Sequence, residues 1–193
     1  MTERLYVVAF PELAESDSKL LAGLRARYHP TQAGRIGPHF TFAFALPEEA
    51  ESALVAQVCN VAAATAPIAF TLRRVTPIAD PASGRAYVTL VPHRGHLAMI
   101  ELHRALHDGP LDRYGEPAIR FEPHLTVGLF DTADESVART AERIATEMRD
   151  SGAAEGIAGR LAGLVIVAET PDAIVERLRV PLAGGERPAG TRR

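Results

Sequence analysis

Short apolar runs alternate with helical patterns along the whole chain. Runs of about four to eight apolar residues predict strands, and apolar residues three or four positions apart predict helices that bury one face. In the first half the predicted order is strand, helix, strand, helix, strand, at residues 5–10, 17–28, 40–46, 47–64 and 68–75. Turn-forming residues at positions 80–84 then divide the chain almost in half.

The second half repeats this order. Its predicted elements are a strand, a helix, a strand, a helix and two final strands, at residues 86–91, 95–107, 124–130, 135–149, 161–168 and 173–182. The halves also match in sequence: the segment at Leu5 matches that at Ala86, 81 residues later, and residues 35–42 match 120–127, 85 residues later. We therefore predict an internal duplication of a βαβαβ-like unit, with the two copies side by side.

The longest matching segment reads Arg-φ-x-Pro-His-φ-Thr-φ, where φ is apolar. It contains His39 and Thr41 in the first half, and His124 and Thr126 in the second. Because side chains alternate along a strand, each His shares a face with its Thr while the apolar residues face the other way. If the halves pack about a pseudo-two-fold axis, both pairs line one cleft from opposite walls. The next residues on that face, Ala43 and Gly128, are small, and we expect them to leave room for a ligand.

Two histidines across a cleft suit chemistry at a phosphodiester. With an ordinary pKa of about 6.5, one imidazole can accept a proton while the other donates one. In-line displacement at phosphorus needs a base on the attacking oxygen and an acid on the leaving oxygen. The threonine hydroxyls can donate to the non-bridging oxygens, where charge builds up. This mechanism requires no metal or other cofactor, and the sequence does not decide which histidine is the base.

The segments Pro38-His39-Phe40-Thr41-Phe42 and Pro123-His124-Leu125-Thr126-Val127 resemble the two His-x-Thr-x motifs of the 2H phosphoesterase superfamily. Within it the chain is most similar to the 2′-5′ RNA ligase-like and cyclic phosphodiesterase branch, from the first strand to about residue 182. The resemblance implies a bilobal α+β fold, with duplicated antiparallel sheets around a central cleft and helices outside. It also implies metal-independent catalysis, with both histidines as acid and base and both threonines on the phosphate.

Composition and charge limit the partners. A length of 193 residues, 47% of them hydrophobic, suits one domain at 1–182 with lobes at about 1–80 and 81–182, between which strands can be exchanged. The segment 183–193 lacks apolar periodicity, so we predict a disordered tail. A net charge of −3 means that nucleic acid must be met by a local basic patch, which favours a small or short substrate. We expect an RNA end or a small cyclic nucleotide, bound by a monomer.

The chain has one cysteine, Cys59, so it can form neither an internal disulfide nor a thiolate metal cluster. It lies in a helical apolar pattern, and we expect it to be a small buried core residue. No apolar run is long enough for a membrane span or the core of a signal peptide. We therefore expect a cytoplasmic protein without a membrane partner.

Other residues are weaker candidates. Arg35 and Arg120 precede the histidines by four residues in both copies, and could contact phosphate or pair with surface carboxylates. Tyr6 and Tyr87 also correspond, and could stack on a base, bind phosphate or be ordinary strand tyrosines. The helix histidines, at positions 96, 103 and 107, lie close to one helical face, but we expect no metal there because that face carries no carboxylate.

The expected activity is hydrolysis of a 2′,3′-cyclic phosphate or a 2′-5′ phosphodiester. Three alternatives stay open. A 2′-5′ RNA ligase would use the same two histidines, with a 5′-hydroxyl in place of water. A nucleotide or RNA-end binding module would use the same cleft without turnover. A hydrolase with metal on the helix histidines would lose activity in excess chelator.

Overall fold

The computed structural model describes residues 3–80, 83–114 and 121–183. These ranges contain nine β-strands: β1 Arg4–Ala9, β2 Pro11–Leu13, β3 Phe40–Pro47, β4 Ile68–Ala79, β5 Ala86–Arg94, β6 Leu125–Phe130, β7 Ile157–Leu161, β8 Gly163–Glu169 and β9 Ile174–Pro181. They also contain five α-helices: α1 Glu15–Tyr28, α2 Pro30–Ala33, α3 Glu51–Ala64, α4 His96–His107 and α5 Glu135–Met148. Short 3₁₀ turns lie at Glu48–Ala50 and Gly109–Tyr114, and a π-helical turn at Arg149–Ala153 follows α5.

The strands form one antiparallel sheet in the order β2-β7-β4-β5-β6-β3-β1-β8-β9. The α+β class predicted from the sequence is confirmed. The two predicted sheets are joined into one, because β3 and β6 pair at the centre through a single residue pair, Phe40 with Leu125. The central junction is therefore narrow, and it lies directly after the histidine of each motif.

The sheet order interleaves the two halves of the chain. Strand β4, from the first half, pairs with β5, whereas β8, from the second half, pairs with β1. The two ends of the chain are also tied together by an ion pair between Glu3 and Arg177. In each half, the third predicted strand thus joins the sheet beside the first strand of the other half: β4 lies beside β5, and β8 lies beside β1.

The end of the chain differs from the prediction of one strand over residues 161–168. The sheet changes neighbours at Ala162: β7 pairs with β2 and β4, whereas β8 pairs with β1 and β9. The short strand β2 is not predicted by the apolar pattern. It begins at Pro11, which is tolerated because β2 lies at the edge of the sheet.

The apolar faces of both motif strands are buried, as predicted. Phe40, Phe42, Leu125 and Val127 are at most 1% exposed and belong to one continuous core. Helix α4 packs on β3, and α1 packs on β6. Helix α5 covers β4 and β5, while α3 covers β8 and β9. Packing on this side fixes the strands and leaves each His-Thr pair on the opposite face.

Cys59 is exposed, so its prediction as a core residue is wrong. The buried face of α3 consists of Leu54, Val58, Val61 and Ala62. Cys59 follows Val58 by one position, about 100° around the helix, and therefore points away from that face.

Two further expectations concern the chain as a whole. Of the predicted tail, residues 184–193 lie outside the described residues. Among the residues that the structure does describe, no helix is both long and apolar enough to span a bilayer.

Candidate active site

The two His-x-Thr motifs meet at the centre of the sheet. Phe40 of β3 pairs with Leu125 of β6 in antiparallel register. Extending that register by one residue would place His39 against Thr126 and His124 against Thr41, both on the face opposite the core. The sequence repeat and the strand pairing therefore bring the four predicted residues to one place.

Both imidazoles are held in the same way. Nδ1 of His39 lies 2.8 Å from the Gly37 carbonyl oxygen, and Nδ1 of His124 lies 2.7 Å from the Glu122 carbonyl oxygen. A carbonyl only accepts, so in each ring Nδ1 carries the hydrogen and donates it. Nε2 of each ring is then the nitrogen that can accept or donate a proton in a reaction.

The charges around the two histidines differ. The pKa of His39 is lowered to about 4, mainly by burial; the Gly37 carbonyl opposes the decrease, and the charge of Arg25, with those of His29 and His124 when they are protonated, adds to it. Burial also lowers the pKa of His124, but a backbone carbonyl and the Glu122 carboxylate oppose the decrease. His39 therefore lies near the Arg25 cation and His124 near the Glu122 carboxylate, and Glu122 occupies the position that Gly37 occupies in the first motif.

A cavity of about 280 Å³ opens beside the motifs. Five of the predicted site residues line it: His39, Thr41, Thr126, Tyr6 and Tyr87. Its other lining residues are Val8, Arg25, His29, Gln32, Ile36, Phe44, Val167, Glu169 and Ile174. His124 is not among the lining residues, although its charge acts on His39. The volume is close to the lower end of the range for small-molecule sites, about 300–1,000 Å³.

The weaker candidates separate in the structure. Tyr6 hydrogen-bonds to Glu169, and burial together with this carboxylate raises the pKa of Tyr6 to about 12. Arg35 does not line the cavity: its Nη1 lies 3.3 Å from Glu169 Oε1, and its Nη2 donates to the Thr170 carbonyl oxygen at 2.9 Å. Arg120 lies outside the described residues. Of the predicted pairs, both tyrosines reach the cavity and Arg35 is held in a structural ion pair.

Neither Ala43 nor Gly128 leaves the space expected of it. The pairing of β3 with β1 shifts register twice, and Ala43 faces the core with no exposed surface. At Gly128 a Cβ atom would lie 3.3 Å from Tyr28 Cβ, so α1 occupies the space beside it.

The same irregularity of β3 brings an unpredicted residue to the site. Phe44 is 51% exposed and lines the cavity together with Thr41, three positions earlier. This odd spacing is possible because β3 is bulged, with Ala45 at a φ of +48°. Strict alternation, on which the prediction rests, cannot reveal it.

The α1–α2 corner supplies three more unpredicted residues: Arg25, His29 and Gln32. Arg25 lies on α1, His29 lies between the two helices with φ −145° and ψ 51°, and Gln32 lies on α2, so the break in the helix at His29 turns all three side chains to the cavity.

The helix histidines have separate roles. His96 Nε2 lies 3.0 Å from Glu122 Oε1, and His103 Nδ1 donates to the Phe42 carbonyl oxygen of β3 at 2.7 Å. His107 Nδ1 donates to the His103 carbonyl oxygen at 2.9 Å. Within the described ranges there is no group of three or more His, Cys, Asp or Glu side chains that could hold a metal ion.

Sequence comparison identifies the family of this fold and site. Residues 11–173 match the family described as the 2′-5′ RNA ligase superfamily. The chain therefore belongs to this superfamily of 2H phosphoesterases and RNA ligase-like enzymes. A search of curated proteins finds no match.

Solved structures show the same fold at low sequence identity. TT0787 of Thermus thermophilus is 19% identical with a TM-score of 0.60, over 95% of this chain and 100% of that one. LigT of E. coli, solved with 3′-AMP, is 18% identical with a TM-score of 0.59, over 95% and 99%. Usb1 of Kluyveromyces marxianus, solved with uridine monophosphate, is 9% identical with a TM-score of 0.55, over 92% and 97%.

Proposed function

We propose that this protein hydrolyses a 2′,3′-cyclic phosphate or a 2′-5′ phosphodiester, at an RNA end or in a small nucleotide, by acid–base catalysis with His39 and His124. The observation that carries the proposal is the matched placement of these two imidazoles, each with Nδ1 hydrogen-bonded to a carbonyl and Nε2 available. The hydroxyls of Thr41 and Thr126 would donate to the non-bridging oxygens of the phosphate. The nucleotides present in the LigT and Usb1 structures support a substrate of this class.

The charge difference between the histidines suggests their roles. His39 lies near the Arg25 cation and is the better candidate for the neutral base, whereas His124 lies near the Glu122 carboxylate and is the better candidate for the protonated acid. His39 would take a proton from water as the water oxygen bonds to phosphorus. The bond from phosphorus to one ribose oxygen would break, and His124 would protonate that oxygen. Each proton transfer typically contributes about 10²–10⁴ to the rate.

The pH profile tests this assignment. The acid limb of kcat/KM should follow His39 and lie near its pKa of about 4. The alkaline limb should follow His124, whose pKa lies below 6.5 because of burial. The optimum should therefore lie on the acid side of pH 6.5. A bound phosphate anion favours both imidazolium forms, so the limbs of kcat should lie at higher pH than those of kcat/KM. An optimum above pH 8 for both parameters would contradict the assignment.

The decisive experiment uses nucleoside 2′,3′-cyclic phosphates and an oligonucleotide that ends in a 2′,3′-cyclic phosphate, with and without a chelator. We expect turnover that persists in the chelator. His39→Ala and His124→Ala should each remove most of it, and the double variant should be little worse than the poorer single one. His93→Ala, a change at an exposed histidine away from the cavity, is the matched control. Near wild-type turnover in either active-site variant would refute the two-histidine mechanism.

The alternatives give different products. A 2′-5′ RNA ligase would join the cyclic phosphate end to an added 5′-hydroxyl oligonucleotide, whereas a binding module would bind the cyclic nucleotide and return it unchanged. Loss of turnover in the chelator would point to a metal-dependent hydrolase.

A further inference from the structure

The corner between α1 and α2 presents three polar side chains to the cavity: Arg25, His29 and Gln32. The backbone holds the corner firmly. His29 N donates to the Arg25 carbonyl oxygen at 2.7 Å, and the His29 carbonyl oxygen accepts from Gln32 N at 3.2 Å. These residues therefore form a preformed wall of the cavity, which His39 also lines.

Arg25 is a buried cation without an anionic partner. It is 2% exposed, and its Nη2 donates to the Ile36 carbonyl oxygen at 2.9 Å. Its Nε–H has no acceptor, and no described carboxylate forms an ion pair with Arg25. A guanidinium stays charged inside a protein, so leaving it buried and unpaired costs stability. Glu169, the carboxylate in the cavity, is held by Arg35 and Tyr6.

His29 and Gln32, the other two residues of the corner, also have polar atoms without a hydrogen-bond partner. His29 is 7% exposed, and its Nδ1 has no partner. Oε1 of Gln32 is buried without a donor. Burial and the Arg25 charge lower the pKa of His29, so the ring is neutral near pH 7. This wall of the cavity thus carries one positive charge and three polar atoms without a hydrogen-bond partner. Buried polar groups in proteins normally have such a partner.

We propose that Arg25, His29 and Gln32 form a phosphate-binding subsite in which the Arg25 guanidinium pairs with phosphate oxygens of the substrate. A guanidinium donates two parallel hydrogen bonds to such an anion, which would use the free Nε–H. Neutral His29 and the Gln32 amide would bond the polar atoms next to that phosphate. The identification of the ligand as substrate rests on the proposed function. The phosphate is either the reacting one or a second one on the same nucleotide.

Binding of inorganic phosphate tests the subsite without any turnover. Calorimetric titration should give a Kd about 10- to 100-fold weaker in Arg25→Gln than in the wild type, the loss expected for a hydrogen bond to a charged group. The Kd of Arg25→Lys, which keeps the charge but not the paired guanidinium donors, should lie between these two values. Arg27→Gln is the matched control, because it removes the same charge from the same helix at a residue that is exposed and pairs with Glu147.

A measurement on the wild-type protein covers the case in which Arg25→Gln does not fold. Adding phosphate should shift the ¹⁵N–¹H resonance of the Arg25 side-chain Nε–H, identified by its absence in Arg25→Lys. Phosphate binding that leaves this resonance in place would overturn the proposal, as would an unchanged Kd in a folded Arg25→Gln variant.

Two substrates distinguish the source of the phosphate. One is a nucleoside 2′,3′-cyclic phosphate with a free 5′-hydroxyl, and the other is the same compound with a 5′-phosphate. If Arg25 binds the reacting phosphate, Arg25→Gln should lower kcat/KM equally for both. If it binds a second phosphate, Arg25→Gln should lower kcat/KM only for the 5′-phosphorylated substrate, mainly by raising KM. Should the wild type turn over neither compound, the proposed function fails, while the phosphate titration still decides whether the subsite exists.

Discussion

Acidification should destabilise the fold through His39 by a predictable amount. The pKa of His39 is about 4 in the folded protein because the half-buried ring is desolvated and lies near the Arg25 cation, and about 6.5 in an unfolded chain. Near pH 7 the ring is neutral in both states and contributes nothing. Below pH 6.5 the unfolded chain binds a proton that the folded protein does not, so the free energy of unfolding decreases until the pH reaches about 4. The total decrease is roughly 3 kcal/mol, at about 1.4 kcal/mol for each pH unit between the two pKa values.

Urea unfolding of the wild type and His39→Gln at pH 7, 5.5 and 4 measures this decrease. Between pH 7 and pH 4 the wild type should lose roughly 3 kcal/mol more than the variant. The pKa values of His29, His103 and His124 are also lowered, and these residues are present in both proteins, so the comparison measures the contribution of His39 together with its coupling to His29 and His124. His93→Gln, at an exposed position, should follow the wild type. Parallel curves for the wild type and His39→Gln would refute the charge environment described for His39.

Three further results are expected. Thr41→Ala and Thr126→Ala should each lower kcat on a 2′,3′-cyclic nucleotide by less than the 10²–10³-fold typical of a lost oxyanion donor, because the other hydroxyl remains; unchanged kcat in both would show that the hydroxyls only pack. Phe44→Ala should raise KM severalfold and change kcat little, since this exposed ring lines the cavity; an unchanged KM would place the substrate elsewhere. Gly159→Ala should destabilise the fold by about 1–3 kcal/mol in urea unfolding, because its Cβ would lie 2.5 Å from Phe70 Cζ, and equal stability would contradict the packing.

The sequence predicts most of the sheet because the chain is duplicated. The repeat identifies both motif strands, and alternation correctly buries Phe40, Phe42, Leu125 and Val127. The order of the strands in the sheet cannot be predicted in this way, because pairing partners depend on contacts between distant segments. Nothing local in the sequence indicates that β8, which directly follows β7 in the chain, pairs with β1 in another part of the sheet.

Some residues of the candidate site can be predicted from the sequence and others cannot. His39, Thr41, His124 and Thr126 are evident because each occurs twice in the same context. Arg25, His29 and Gln32 occur in one half only, and their relation to the cavity depends on the break between α1 and α2 and on how that corner is placed against the sheet. Phe44 depends on a local break in alternation that apolar patterning cannot detect.

The interleaving of the halves has a consequence for how the protein is made. Strand β1 ends at Ala9, but β8, which covers one of its edges, begins at Gly163. About 150 residues are synthesised between them, which at about 5–20 residues per second takes roughly 10–30 s. During that time the nascent chain carries an apolar strand with an open edge, the kind of edge that pairs with other chains. Chains that terminate before β8 keep that edge, so incomplete translation products are expected to aggregate rather than to fold into a working half.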